Sequence, residues 1–199
     1  MYTPKHFSVS DRQELSHFIR NNAFGQLISN HNHRPEASHL PFLLSADGER
    51  LTCHLARQNP QLEKLDGQQV LVIFNGPHAY ISPRWYQSAG VPTWNYQSVH
   101  VYGTARTFND AERLMTLVDQ LSQKYESGAE KPWQPEYSPK LLRAITGVEI
   151  EISDIQGKYK LSQNRSTEDR QSVVEALRAE QKSEMADAIQ RWEPPIESC

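Results

Sequence analysis

Cysteine is nearly missing: of 199 residues only Cys53 and Cys199 carry a thiol, which excludes a disulfide framework and any zinc site built on paired cysteines. Long apolar runs are missing too. None approaches the ~18–20 residues needed to cross a bilayer, and the opening Met1-Tyr2-Thr3-Pro4-Lys5-His6 lacks the apolar core of a secretory signal. Positive charge is not in excess, with a formal net charge of -3 and a pI near 6.2. A protein that grips duplex DNA by its phosphates normally shows a basic face, and this balance does not advertise one. No glycine-rich phosphate loop of the Rossmann or Walker form occurs, and no Ser/His/Asp or Cys/His triad is readable. The expectation is a cytoplasmic protein with no membrane anchor and no assignable catalytic residue.

What is present reads as a β-rich unit followed by a polar tail. Ser10-Asp11-Arg12-Gln13 has the form of a capping box and opens a helix with Leu15, Phe18 and Ile19 on one face. Phe24 to Asn30 reads as a strand, with a polar turn over residues 31–35 and a second strand over 37–45. Asp47-Gly48 is a hairpin turn leading to a returning strand from Leu51 to Ala56. Asn59-Pro60 starts a short helix. The run Val70 to Phe74 reads as a strand buried on both faces. Gly76-Pro77 interrupts it, and Ala79 to Ser82 resumes it. Residues 83–95 read as an aromatic-rich loop, and Tyr96 to Arg106 as the next strand. Asn109-x-x-Glu112 opens the best helix, with Leu114, Leu117, Val118, Leu121 and Tyr125 at helical spacing. A loop from Lys131 to Tyr137, a short helix from Ser138, and a half-exposed strand from Val148 to Ile155 follow. Ser166-x-x-Asp169 opens a last helical stretch to Trp192, with a break near Lys182. Short turns between strands favour a small antiparallel barrel with peripheral helices. The boundaries are residues 1–165 for the barrel domain and 166–199 for a helical extension. That extension carries eight acidic and four basic residues, a net of -4.

Four segments carry chemistry. In Thr52 to Pro60 a strand ends at Arg57 and runs into a helix start. Free N–H groups there favour anions, and an arginine fork suits phosphate; the same residues serve equally as a surface arginine beside an ordinary cap. Gly76 to Tyr86 and Val91 to Val101 place Trp85, Tyr86, Trp94 and Tyr96 close together, either to wall a flat ligand ring or to pack on the protein itself. Gly157 to Arg165 is rich in donors, which suits either phosphate and hydroxyl groups of a ligand or a solvated turn with Asn164 and Ser166 as caps. His31-x-His33 has Glu36 nearby but no further ligands, so no metal site is expected. His39, His54 and His100 lie on strands. Cys53 reads as a small buried hydrophobe.

In combination these stretches resemble the PaiB family of FMN-binding proteins, named for a negative regulator of transcription. The resemblance rests on Met1 to Phe7, Ser38-His39-Leu40-Pro41-Phe42, His54-Leu55-Ala56-Arg57-Gln58-Asn59-Pro60, Gly76 to Pro83, Val91-Pro92-Thr93-Trp94-Asn95-Tyr96 and Lys158 to Arg165. It implies an FMN-binding split barrel like that of pyridoxamine-phosphate oxidase, working as a homodimer with FMN at the subunit interface. Carried over, Arg57 and Asn59 hold the phosphate, and His39 and His54, on adjacent strands of a hairpin, line the flavin groove. Lys160, Ser162, Gln163 and Asn164 supply polar contacts, and Trp94, Asn95 and Tyr96 close the site. One departure is Gln87-Ser88-Ala89-Gly90, where relatives often carry basic residues. The family name implies negative transcriptional regulation, with DNA a possible partner that the charge does not support. The alternative is an FMN-dependent oxidoreductase or flavin reductase.

Overall fold

Alternation along the strand Arg50–Ala56 shows how the sequence builds the sheet: Leu51, Cys53 and Leu55 are buried, while Arg50, Thr52, His54 and Ala56 are not. The computed structural model describes residues 1–131, 133 and 137–192, with only the backbone of Pro139. The elements in chain order are β1 (Ser8–Val9), α1 (Arg12–Asn21), β2 (Phe24–His31), β3 (Arg34–Pro41), β4 (Leu43–Leu44), β5 (Arg50–Ala56), β6 (Gln69–Ile81), β7 (Thr93–Phe108), α2 (Ala111–Glu126), α3 (Pro139–Leu142), β8 (Ile145–Lys160), α4 (Thr167–Ala179) and α5 (Ser183–Arg191). Short 3-10 turns cover Lys5–Phe7, Pro60–Lys64 and Pro83–Trp85. The strands form one sheet in the order β3-β2-β6-β7-β8-β5-β4, with β1 added to β8. No described helix is long and apolar enough to cross a membrane.

The chain divides into two compact units. The larger contains Ser16–Phe74 and His100–Ile155. Here the sheet curls until β3, at one end of the strand order, meets β5 near the other. Leu27, Val72, Phe74, Val101, Ala105, Val148 and Ile150 fill the interior, and the rings of Phe42 and Phe74 meet edge-on at 5.5 Å. Cys53 is fully buried, and burial pushes its thiol well above the usual range. Leu114, Leu117 and Leu121 of α2 are buried, whereas Tyr125, expected on the same stripe, is 56% exposed.

The smaller unit contains Met1–Leu15, Asn75–Val99 and Gln156–Cys199. In it β1 pairs with β8, Ser8 opposite Lys158 and Val9 opposite Gly157. Val173, Val174 and Leu177 of α4 and Met185, Ala186 and Ile189 of α5 are buried. Tyr159, fully buried, donates its hydroxyl to Glu14 Oε1 at 2.9 Å and meets the ring of Trp192 at 4.8 Å. The Arg170 Nη2 donates to the carbonyls of Ile189 and Trp192 at the end of α5. The helix break near Lys182 is present, and Ser166 caps α4 by accepting from Asp169 N. The end of the expected extension, 193–199 with Cys199, and part of the expected 131–137 loop lie outside the described residues.

Several local readings need correction. The polar turn over 31–35 is a tight hairpin with only Asn32 and His33 in the loop, both at positive φ (51° and 63°). Such two-residue turns match the twist of the flanking strands. β6 runs unbroken through Gly76-Pro77. Pairing with β2 involves Leu71–Ile73 only, so the missing N–H of Pro77 removes no bond from that ladder. The run from Val70 to Phe74 is not buried on both faces, since Leu71 and Ile73 are only half-buried. Helix α2 is capped by Asp110, not Asn109, through Arg113 N at 2.9 Å. Asp11, not Ser10, accepts from Gln13 N at the start of α1.

Gly103 on β7 is required by close approach. A Cβ there would lie 2.3 Å from the Glu151 carbonyl oxygen, which is backbone and cannot swing aside. Gly103→Ala is therefore expected to lower stability by about 1–3 kcal/mol. Urea denaturation checks this, and an unchanged midpoint would refute it.

Candidate functional site

Two groups of side chains fall at the positions the motifs single out, one in each unit. In the larger unit, Arg57 leaves the end of β5. Its Nη2 donates to Asn109 Oδ1 at 2.8 Å and to the Ile145 carbonyl at 3.0 Å, and its backbone N–H donates to Ala144 O at 2.8 Å. The Nε and Nη1 donors have no partner among the described residues. Asn59 is committed to the fold. Its Oδ1 accepts from Gln61 N at 2.9 Å, and its Nδ2 donates to Ser38 Oγ at 3.2 Å. Gln61, 2% exposed, completes the cluster: Oε1 accepts from Ser38 Oγ at 2.6 Å, and Nε2 donates to Leu27 O and Ser29 Oγ. The reading of Asn59 as a cap is thus what its bonds show.

A pocket of about 540 Å³ opens beside this turn, lined among others by Arg57, Asn109, Leu114, Met115, Leu142 and Arg143. Apolar walls with a few convergent polar groups are the usual build of a small-molecule site.

The two histidines differ. His54 stands opposite Gly147 of β8, its Nδ1 is buried with no partner among the described residues, and desolvation holds its pKa below the usual value. The imidazole is therefore neutral at neutral pH. His39 is exposed, opposite Gln26, with its ring 6.3 Å from that of Phe24. The two were expected on adjacent hairpin strands, but β3 pairs with β2 while β5 pairs with β4 and β8. They share no ladder, although β3 and β5 themselves approach where the sheet curls. His100 Nδ1 is likewise buried and unpartnered among the described residues.

In the smaller unit Trp94 is 55% exposed, with Tyr80 and His78 at 6.1 and 6.3 Å between ring centres. Asn95, 1% exposed, donates to Ser162 Oγ at 2.8 Å, and Ser162 is held at φ 61°. Lys158 sits 5.5 Å from the Tyr96 ring. The Lys160 ammonium donates to Thr93 Oγ1 and Trp94 O, and desolvation, then the neighbouring Lys158, lowers its pKa. Gln163 folds back on its own turn, accepting from Leu161 N and donating to Tyr159 O. Asn164 is exposed, and the cap of α4 is Ser166. Much of the donor-rich stretch is therefore satisfied internally.

Sequence reasoning gave no site role to Gln61, Ser38, Asn109 or Asp169. Asp169, 1% exposed, accepts from Gln87 N, Ser88 N and Ser88 Oγ, tying residues 87–88 to α4. Its place three after Ser166 reads as a capping partner, but an aspartate is a methylene shorter than the Glu or Gln that usually reaches back to the cap. Arg165 donates to Ala89 O at 3.0 Å and lies 4.2 Å over the Tyr86 ring.

A family model described as "Putative FMN-binding domain" matches residues 1–154. The protein named protease synthase and sporulation protein PAI 2, from Bacillus subtilis, is 42% identical over 190 residues, covering 91% of each chain. This chain belongs to the PaiB family of FMN-binding proteins. An uncharacterized protein of Emericella nidulans is 36% identical over 184 residues, 70% of this chain and 73% of its own. Among solved structures, a flavocytochrome from Azotobacter vinelandii has a TM-score of 0.65 at 15% identity, covering 79% of this chain and 72% of its own. An FAD and heme binding protein from Mycobacterium smegmatis has a TM-score of 0.64 at 17% identity, covering 83% and 78%. At such identities the likeness is one of fold: the antiparallel split barrel of flavin proteins, here with helical C-terminal segments. FMN is the cofactor of the PaiB family, and the donor set fits it. Arg57 has spare N–H donors for a phosphate, and His54 presents a buried, unpartnered ring nitrogen.

The hydrogen bond from the Ser88 hydroxyl, first among its causes, holds the Asp169 carboxyl below the usual aspartate range. A depressed folded-state pKa stabilises above the unfolded value and is lost as pH falls through the folded one. Protection factors of the Gln87 and Ser88 amides are therefore expected to be high at neutral pH and to fall as pH drops below about 3.8. Asp169→Asn should show faster exchange already at neutral pH; identical profiles in the two proteins would refute the tether.

Proposed function

We propose that this PaiB-family protein is a cytoplasmic homodimer that holds FMN through Arg57 and acts as a negative regulator of transcription. The observation that carries the FMN reading is the half-used Arg57 guanidinium. One nitrogen is bound to the fold while Nε and Nη1 remain for an anion. A charge-assisted hydrogen bond of this kind is worth about 1.5–3 kcal/mol. Asn59 supports the same reading indirectly, by fixing the turn from which Arg57 departs. His54, neutral and unpartnered at Nδ1, offers a ring nitrogen to a heteroatom of the flavin. Trp94 and Lys160, with exposed or half-exposed surface, are proposed flavin contacts at the interface of the two subunits of the homodimer; Tyr96 and Asn164 share that proposal from the motif match. When bound, FMN supplies one- and two-electron redox chemistry.

The regulatory half of the proposal is supported by the family name and by the relative whose name assigns it a part in protease synthesis and sporulation. The net charge of -3 argues that regulation works through a protein partner or a locally basic face of the dimer. The second reading, an FMN-dependent oxidoreductase, is favoured by His54, a neutral hydrogen-bonding group of the kind that tunes a redox ring.

Titration with FMN and with riboflavin, alongside size-exclusion chromatography, tests the first half. Arg57→Ala is expected to weaken FMN binding by about 10- to 100-fold while leaving riboflavin binding unchanged. Equal FMN affinity in the variant would sink the assignment. Promoter gel shifts over a salt series test the second half. Anaerobic bleaching of bound flavin by NADH or NADPH, with no promoter shift, would replace regulation by the oxidoreductase reading.

A further inference from the structure

Asn109 lies at the junction of β7 and α2, where the sequence pattern makes it a helix cap. Asp110 takes that role instead, which leaves the Asn109 amide free for another. Its Oδ1 accepts two hydrogen bonds, from Arg57 Nη2 at 2.8 Å and from Thr146 Oγ1 at 3.0 Å. Thr146 is 6% exposed, so its hydroxyl is a fixed strut behind the amide. The second Nη2 hydrogen goes to the Ile145 carbonyl. The guanidinium is therefore held at one nitrogen by the start of β8 and by the β7–α2 junction, although the arginine itself is exposed.

An exposed arginine without such anchors samples many rotamers, and ordering it on binding costs affinity. Here that cost is met in the free protein. We infer that Asn109 is a positioning residue: it pre-orders Arg57 so that Nε and Nη1 face an incoming phosphate. The inference rests on the reading of Arg57 as the FMN-phosphate ligand, and it assigns Asn109 no contact with the flavin.

The test is a set of FMN and riboflavin titrations on Asn109→Ala, Arg57→Ala and the double variant, with thermal melts of each. Asn109 is exposed, so truncation leaves the core intact; Thr146→Val, which removes the strut, is a second variant expected to act in the same direction. Asn109→Ala should weaken FMN binding about 3- to 10-fold, leave riboflavin binding unchanged, and add nothing in the Arg57→Ala background. Loss of both flavins alike, or a loss additive with Arg57→Ala, would overturn positioning through Arg57. A selective FMN loss in Arg57→Ala with none in Asn109→Ala would overturn the inference and leave the phosphate reading standing. No loss in Arg57→Ala would remove the reading and the inference with it.

Discussion

A primary amide buried to 2% exposure, as Gln61 is, must find partners at each hydrogen-bonding position or cost about 1–3 kcal/mol for each one left empty. Gln61 finds them in two neighbouring strands. It ties Leu27 and Ser29 of β2 to Ser38 of β3, and Ser38 in turn accepts from Asn59. The turn after β5 is thereby bonded to strands that are not its neighbours in the ladder order. Everything proposed for Arg57 depends on this, because a guanidinium can be pre-ordered only if the backbone that carries it is fixed first.

The two motif groups use their polar atoms differently. Around Arg57 the bonds consume part of the donor capacity and leave Nε and Nη1 without a partner among the described residues. Around residues 158–165 the hydrogen bonds close on themselves: Gln163 on Tyr159 and Leu161, and Asn95 on Ser162. Buried polar groups that are fully satisfied specify a conformation, and those left open are available to a ligand. Counting donors in a sequence does not separate the two cases.

That distinction marks where the sequence was legible. Period-two alternation located most strands, and the capping pattern at Ser166 located α4, because both are local signals. The 13-residue β6 and the 16-residue β7 and β8 were longer than expected, since glycine and proline read as breakers wherever tertiary pairing is unseen. The motifs singled out Arg57, His39 and His54 as candidates. The partners that define their roles were not. Asn109 is 52 residues from Arg57, and Asp169 is 82 from Gln87, so no spacing rule connects them.

The chain passes between its two units inside α1, β6, β7 and β8. No linker joins them, and each unit is assembled from segments far apart in sequence. A single protease nick therefore cannot release either one. No continuous fragment can be expressed as either unit alone, and an insertion at any crossing interrupts a helix or a strand. Dissection of this protein by truncation would report the loss of the fold instead of the contribution of a part, which leaves point substitution as the way to assign its functions.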